Sequence, residues 1–250
     1  MSAVASFEEL REAALDDERI VGVVVHGSRG KGAFVSPSSD FDVSLVVNGD
    51  TDPVRQRFPL RRGDPVEVVV YSLEEFRAYA LPGSETEWNR YAFTHVKVEI
   101  DKLCGLVQQL VDEKGSLSAD EAEGLAPAAL DAYINSYYRS AKNLERGLAL
   151  EAQLDAAESI PSLLSALFAL NGRVRPFNKY LAWELEHFPL EGDEWTADTL
   201  LPRLRTILET GDLAEQQALF RSTEALARRH GLGGVVDDWE PDVAWLRGPH

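Results

Sequence analysis

Two aspartates one residue apart, Asp40 and Asp42, follow a Gly27-Ser28 pair after a gap of eleven residues. Alternate side chains of a strand project from the same face, so a strand at this position would direct both carboxylates to one point. Hard divalent ions such as Mg²⁺ commonly take one or two carboxylates and fill their remaining positions with substrate phosphate oxygens. The spacing therefore predicts a site for metal-assisted phosphoryl transfer.

The residues around the Gly-Ser pair suit a phosphate group. Gly27 has no Cβ, which allows a phosphate to approach the backbone, and Ser28 adds a hydroxyl and an amide donor. Arg29 and Lys31 would supply positive charge to the same phosphates. We expect His26, directly before the pair, to pack or form hydrogen bonds rather than act as a catalytic base.

A third acid, Glu67, stands alone in an apolar run from Val66 to Tyr71. Burial of a single carboxylate is costly unless it is paired, hydrogen-bonded or bound to a metal. Glu67 is therefore a candidate third acid of the same site. The alternative is a salt bridge to one of the arginines in the preceding loop, which are Arg55, Arg57, Arg61 and Arg62.

Local sequence patterns predict the helix and the strands that must position these residues. Ser6 with Glu9 three residues later predicts a helix over residues 7–16. The β-branched run 20–25 predicts a strand buried on both faces, and residues 41–47 and 66–71 predict two further strands. Alternation of apolar residues predicts a fourth strand over 93–100.

The order of these motifs resembles the nucleotidyltransferase domain of the DNA polymerase β superfamily, over roughly the first hundred residues. In that family the Gly-Ser turn holds the triphosphate, a role the resemblance gives to Gly27 and Ser28. The Asp-x-Asp pair and a later acid bind two metal ions there, which implies the same for Asp40, Asp42 and Glu67. The resemblance thus implies two Mg²⁺ ions as cofactors and ATP or another nucleoside triphosphate as co-substrate. Many members have Asp where Glu67 stands, and the longer side chain implies a looser metal contact.

The second half of the chain predicts helices. Apolar residues recur at threes and fours from residue 128 onward, and the acidic, alanine-rich residues 119–127 are typical of a linker. We therefore predict an α+β fold class, with a small mixed-sheet domain over 1–118 and an all-α helical bundle over 119–250. This order is similar to that of antibiotic nucleotidyltransferases of the aminoglycoside and lincosamide types.

Two features of the helical half are candidate parts of the site. Pro161 cannot donate to the carbonyl of Ala157, so a helix should kink or restart beside Glu158. Glu158 is a candidate general base for an acceptor hydroxyl, with Asp155 and Glu145 as lesser candidates, and helix capping at the restart is the alternative.

A basic cluster over residues 173–180 is the other feature. Its cations Arg175 and Lys179 are predicted to contact the nucleotide phosphates. Salt bridges to the acids of the bundle itself are the competing explanation for this cluster.

The composition limits the partners. The net charge is −17, from 42 acidic and 25 basic residues, so a basic track for DNA or RNA is not evident and nucleic acid is disfavoured as acceptor. The single cysteine, Cys104, excludes an internal disulfide. Without a signal peptide or a stretch of membrane-spanning length, we expect a cytoplasmic protein that has no membrane partner.

The sequence thus predicts an enzyme that transfers a nucleoside monophosphate, AMP from ATP by preference, to a hydroxyl of a small acceptor. An acidic surface favours a cationic acceptor such as an aminoglycoside-type antibiotic. One alternative is adenylylation of a partner protein, as nucleotidyltransferase antitoxins do to a toxin. The other is a non-catalytic module that binds a nucleotide as a signal.

Overall fold

The computed structural model describes residues 6–248. The chain divides into two compact units, the first ending at Ser116 and the second beginning at Leu117. The predicted boundary after residue 118 lies two residues further along the chain. The first unit contains a four-stranded mixed sheet with helices, and every regular element described in the second unit is a helix. The predicted α+β fold class is confirmed.

The first unit begins with a capped helix, as its sequence predicts. The Ser6 hydroxyl accepts a hydrogen bond of 3.2 Å from the backbone N–H of Glu9, which satisfies a donor that the first turn leaves unpaired. A 3₁₀ helix covers Glu87–Phe93. The other elements are α1 (Phe7–Asp16), β1 (Ile20–Val25), α2 (Gly27–Lys31), β2 (Phe41–Val47), α3 (Asp52–Arg57), β3 (Val66–Ser72), α4 (Leu73–Ala78), β4 (Lys97–Asp101) and α5 (Leu106–Gly115).

The sheet has the strand order β3-β2-β1-β4. β2 is parallel to β3, and β1 is antiparallel to both β2 and β4. All six residues of β1 are buried because an apolar cluster covers each face of the sheet: Val23 belongs to one cluster and Val24 to the other. This two-sided burial explains why β1 is β-branched without alternation.

The predicted strand over residues 93–100 is wrong in its first half. Phe93 ends the 3₁₀ helix with its ring buried in the core, and β4 starts only at Lys97. His95 between them has a positive φ of 56°, a left-handed conformation that interrupts an extended chain. The apparent alternation therefore spans two different structures.

The second unit is built around a pair of long helices, α6 (Ala119–Glu145) and α7 (Ala149–Leu170). The hydroxyl of Ser140 donates to the carbonyl oxygen of Ala152 across this pair at 2.8 Å. The remaining α-helices are α8 (Leu181–His187), α9 (Ala197–Thr210), α10 (Leu213–Arg229), α11 (Gly233–Asp237) and α12 (Asp242–Leu246). Two short 3₁₀ helices cover Asn178–Tyr180 and Asp193–Trp195.

Residues 119–127 do not form the predicted linker, because they are the first turns of α6. Ser118 and Glu121 form a reciprocal capping box at its N-terminus. Acidic side chains in a first turn interact favourably with the helix dipole, so the acidic composition is that of a helix start. Within residues 6–248, none of the helices combines the length and the hydropathy that a membrane span requires.

Candidate active site

Asp42 and Glu67 lie side by side in the sheet. They are register partners in the parallel pairing of β2 with β3. Val43 and Val68, the next residues on the two strands, belong to the apolar cluster under one face. Asp42 and Glu67 therefore project from the opposite face, where both are partly exposed. The sheet thus brings together two of the three predicted metal ligands.

The Gly-Ser turn lies directly against the Asp42 carboxylate. Gly27 begins α2 with a positive φ of 61°, and a Cβ built on it would lie 2.1 Å from Oδ2 of Asp42. Only glycine combines this backbone conformation with so close an approach. Ser28 follows in the first turn of α2, so the predicted turn and the predicted acid form one site.

Asp40 is positioned differently from the other two acids. It lies one residue before β2 begins and is exposed, so the alternation of the strand does not determine the direction of its side chain. No group of three His, Cys, Asp or Glu side chains in residues 6–248 is arranged to hold a metal ion. Among the described residues, the sheet register therefore pairs Asp42 with Glu67 but does not include Asp40, which precedes the strand.

Glu67 accepts a hydrogen bond from a backbone amide. Its Oε1 lies 2.6 Å from the N–H of Gly63, in the turn that precedes β3. The sequence carries no signal for this contact. Of the four arginines considered as partners of Glu67, Arg55 pairs with Glu75 at 2.9 Å and Arg57 lies 3.6 Å from Asp17.

The two cations near the turn have different positions. Nε of Arg29 donates to the carbonyl oxygen of Ser39 at 2.9 Å, and its guanidinium lies 4.3 Å from the centre of the Phe41 ring. Arg29 thus holds the loop that leads to Asp40 and Asp42. Its partial exposure leaves it as a candidate phosphate contact.

Lys31 is buried and does not have the phosphate-binding position that the sequence predicts. Its Nζ donates to the carbonyl oxygen of Tyr91 at 2.8 Å and also to that of Thr94. The ammonium lies 4.2 Å from the centre of the Tyr91 ring. These contacts connect α2 to the 3₁₀ helix, so the ammonium of Lys31 binds carbonyl oxygens of the protein itself and is not placed to bind phosphate.

His26 has the hydrogen-bonding role that we expected. Its Nδ1 lies 3.2 Å from the carbonyl oxygen of Ala92, and its Nε2 lies 2.9 Å from the hydroxyl of Ser44. Because a carbonyl oxygen can only accept, Nδ1 carries the proton and Nε2 accepts from Ser44. Burial lowers the pKa of His26 to about 4, so the ring is neutral at neutral pH and links β1 to β2.

Glu158 lies on an uninterrupted helix. α7 continues from Ala149 to Leu170 through Pro161, so the predicted restart beside Glu158 is absent, and with it the capping role at such a restart. The strongly apolar segment after the proline is buried in the core of the unit, and this packing maintains the helix despite one lost hydrogen bond.

The acids of this segment pair with a cation of α6. Arg139 contacts Glu158 at 2.8 Å and Asp155 at 3.1 Å, and the Glu158 side chain is 66% exposed. Glu145, at the end of α6, is also exposed. The described contacts of Glu158 are those of a surface ion pair.

The cations of the basic cluster separate into three environments. Arg173 pairs with the buried carboxylate of Glu184, which is the salt-bridge alternative considered above. Lys179 is exposed, 5.2 Å from the centre of the Tyr180 ring. Arg175 donates to Oδ1 of Asn178 at 3.0 Å and lines a pocket of the helical unit.

Comparison with solved structures gives a likeness in fold, whereas comparison with sequences does not. No protein-family model matches the sequence, and no curated protein matches it. The fold is similar to that in the crystal structure of a nucleotidyltransferase-like protein from Exiguobacterium sibiricum 255-15. The sequence identity is 11% and the TM-score is 0.41, and the match covers 94% of this chain and 80% of that chain.

Proposed function

We propose that this protein is a Mg²⁺-dependent nucleotidyltransferase that transfers a nucleoside monophosphate, AMP from ATP, to a hydroxyl group. The single observation that carries the proposal is the approach of Gly27 to Asp42, beside the register pair of Asp42 with Glu67. A turn without a Cβ next to two adjacent carboxylates suits a metal-bound triphosphate.

The donor set fits Mg²⁺ by its chemistry. Two carboxylates, from Asp42 and Glu67, are sufficient when phosphate oxygens and water complete the octahedron. Asp40, exposed beside this pair, is the candidate third ligand. When bound, Mg²⁺ would neutralise phosphate charge and activate the attacking oxygen.

The residues of the chain then have distinct tasks. The backbone at Gly27 and Ser28 holds the β and γ phosphates, and Arg29 in the middle of α2 adds a positive charge. The acceptor oxygen forms a bond to the α phosphorus, the bond to the bridging oxygen breaks, and pyrophosphate leaves. The hydroxyl proton passes to a carboxylate of the site.

We propose a small cationic molecule, such as an aminoglycoside, as the acceptor. The net charge of −17 supports this choice, because a negative potential attracts cations and disfavours nucleic acid. Glu158 remains a separate hypothesis for the general base, and Glu158→Gln tests it independently of the metal ligands.

A partner protein is the second candidate acceptor. Leu150 and Leu154 lie one turn apart on α7, with 67% and 57% of their surfaces exposed. Exposed apolar side chains that form a contiguous patch can mark a protein-binding surface. Loss of labelling of a candidate protein in Leu150→Ser, with small acceptors unaffected, would favour this acceptor.

The test uses ATP labelled at the α or the γ phosphate, with Mg²⁺ and a panel of aminoglycosides, lincosamides and candidate proteins. The proposal expects acceptor labelling from the α phosphate only, abolished by EDTA and by Asp42→Asn. Glu12→Gln, an exposed acid on α1, is the matched control and should retain activity. Label from the γ phosphate would identify a kinase instead, and ATP binding without any transfer would support the non-catalytic alternative.

A further inference from the structure

A pocket in the helical unit lies between α7, α9 and the start of α8. Its volume is about 620 Å³, within the usual range for small-molecule sites. α7 and α9 each contribute a stripe of residues at intervals of three and four, and the stripe on α9 includes Leu201, Leu204 and Leu208. The wall of the pocket is therefore mainly apolar, as expected of a site for a molecule with an apolar body.

Arg175 brings a positive charge to this wall. Its described hydrogen bond is to the neutral side chain of Asn178, and its Nε is buried without a hydrogen-bond partner. Burial lowers the pKa of Arg175. A half-buried guanidinium without an acidic partner is costly, and an anion in the pocket would satisfy it.

A second arginine lines the same pocket. Among the described residues, Arg205 of α9 makes neither a salt bridge nor a side-chain hydrogen bond, although the chain has 17 more acidic than basic residues. Glu209, which is exposed, also lines the pocket. Two arginines and one glutamate leave a net charge of one positive unit, which matches a single negative charge on a ligand.

We propose that this pocket binds an amphipathic monoanion: a carboxylate on Arg175 and Arg205, with an aliphatic or aromatic body against the leucines of α7 and α9. The assignment is independent of the nucleotidyl-transfer site, because every group that it uses lies in the helical unit. Arg175 is accordingly assigned to this ligand and not to the triphosphate.

The test measures binding of decanoate, below its micellar concentration, to the full-length protein by calorimetry and thermal shift. Decanol is the neutral probe of the same length. The proposal expects decanoate to bind, and decanol to bind at least about tenfold more weakly, since hydrogen bonds to charged groups contribute strongly.

Two variants and a control locate the site. Arg175→Gln should weaken decanoate binding about tenfold or more while leaving decanol binding unchanged. It should also raise the melting temperature of the ligand-free protein, because it removes a buried charge without an acidic partner. Ala157→Phe should fill the pocket and abolish binding of both probes. Arg229→Gln, an exposed arginine of the same unit, should change neither measurement.

Three outcomes would overturn the proposal. One is absence of decanoate binding to the wild-type protein. Another is equal affinity for decanoate and decanol, which would show that the charge has no part in recognition. The last is a melting temperature lowered by Arg175→Gln with decanoate affinity retained, which would give Arg175 a structural role only. Activity on ATP does not enter any of these measurements, so failure of this proposal and of nucleotidyl transfer are distinguishable.

Discussion

Replacement of Gly27 by alanine tests the contact on which the candidate site depends. Gly27 has a φ of 61° and Gly32, at the end of the same short helix, has a φ of 67°. A Cβ on Gly32 would have nothing within 4 Å, whereas one on Gly27 would lie 2.1 Å from Oδ2 of Asp42. The two substitutions therefore share the cost of a positive φ and differ in the displacement of one carboxylate.

The magnitudes follow from this geometry. A left-handed conformation costs an L-residue about 1–2 kcal/mol, so both variants should lose about that much free energy of unfolding. Ordinary van der Waals contact begins at 3.4 Å, so in Gly27→Ala the Asp42 oxygen has to move by more than about 1 Å. Misplacement by about 1 Å can lower a rate about 100-fold.

The assay combines urea unfolding with the rate of AMP transfer from α-labelled ATP, or with affinity for Mg²⁺-ATP where the acceptor is not yet known. We expect similar losses of stability in the two variants, and a loss of activity or affinity in Gly27→Ala alone. Equal activity in Gly27→Ala and Gly32→Ala would refute the reasoning, because Asp42 would then tolerate displacement. A much larger loss of stability in Gly32→Ala would refute the assumption of equal backbone cost.

Three further predictions concern the first unit. Lys31→Met should lower the free energy of unfolding by about 2 kcal/mol or more, because the carbonyl oxygens that its ammonium binds, including that of Tyr91, lose a charged donor. An increase in the KM for ATP without a change in the urea midpoint would instead indicate a phosphate contact. The hydrogen bonds from Arg19 lower the pKa of Asp17 to about 2 from 3.8, so Asp17 contributes stability above about pH 4 that is lost as the pH falls through about 2. In urea titrations, the stability advantage of the wild type over Asp17→Asn should be on the order of 2 kcal/mol at about pH 5 and should shrink at about pH 2. A difference that stays constant between these pH values would contradict the assignment. Gly22→Ala should lower the free energy of unfolding in urea by about 1–3 kcal/mol through overpacking, since its Cβ would lie 2.8 Å from a side-chain carbon of α5. An unchanged free energy of unfolding would show that α5 can move away from β1.

Local sequence signals were sufficient for the elements that carry the site. β1 and β2 begin and end at the predicted residues, and α1 begins after the predicted cap at Ser6. These boundaries depend on neighbouring residues alone: a hydroxyl three residues before an amide, a β-branched run, or a turn after an apolar stretch. The same signals failed at residues 93–100 and 119–127, where apolar alternation and acidic composition are each compatible with more than one structure.

Contacts between distant residues were decided by the tertiary structure. The sequence selects Asp42 and Glu67 as acids on two strands, but the parallel register of β2 with β3 makes them neighbours. The sequence places Lys31 near the Gly-Ser turn, and folding buries its ammonium among carbonyl oxygens of a segment sixty residues away. A cation three residues from a turn can point to phosphate or to the core, and sequence spacing does not distinguish the two.

The sequence by itself determined the residue types that can do chemistry, their order, and the strands and turns that carry them, because these follow from interactions within a few residues. Only the tertiary structure decided which of those residues meet: Gly27 against Asp42, Asp42 beside Glu67, and Arg175 at an apolar pocket. Register, burial and ion pairing depend on groups brought together from distant parts of the chain, and each side chain contacts the partners that packing leaves within its reach.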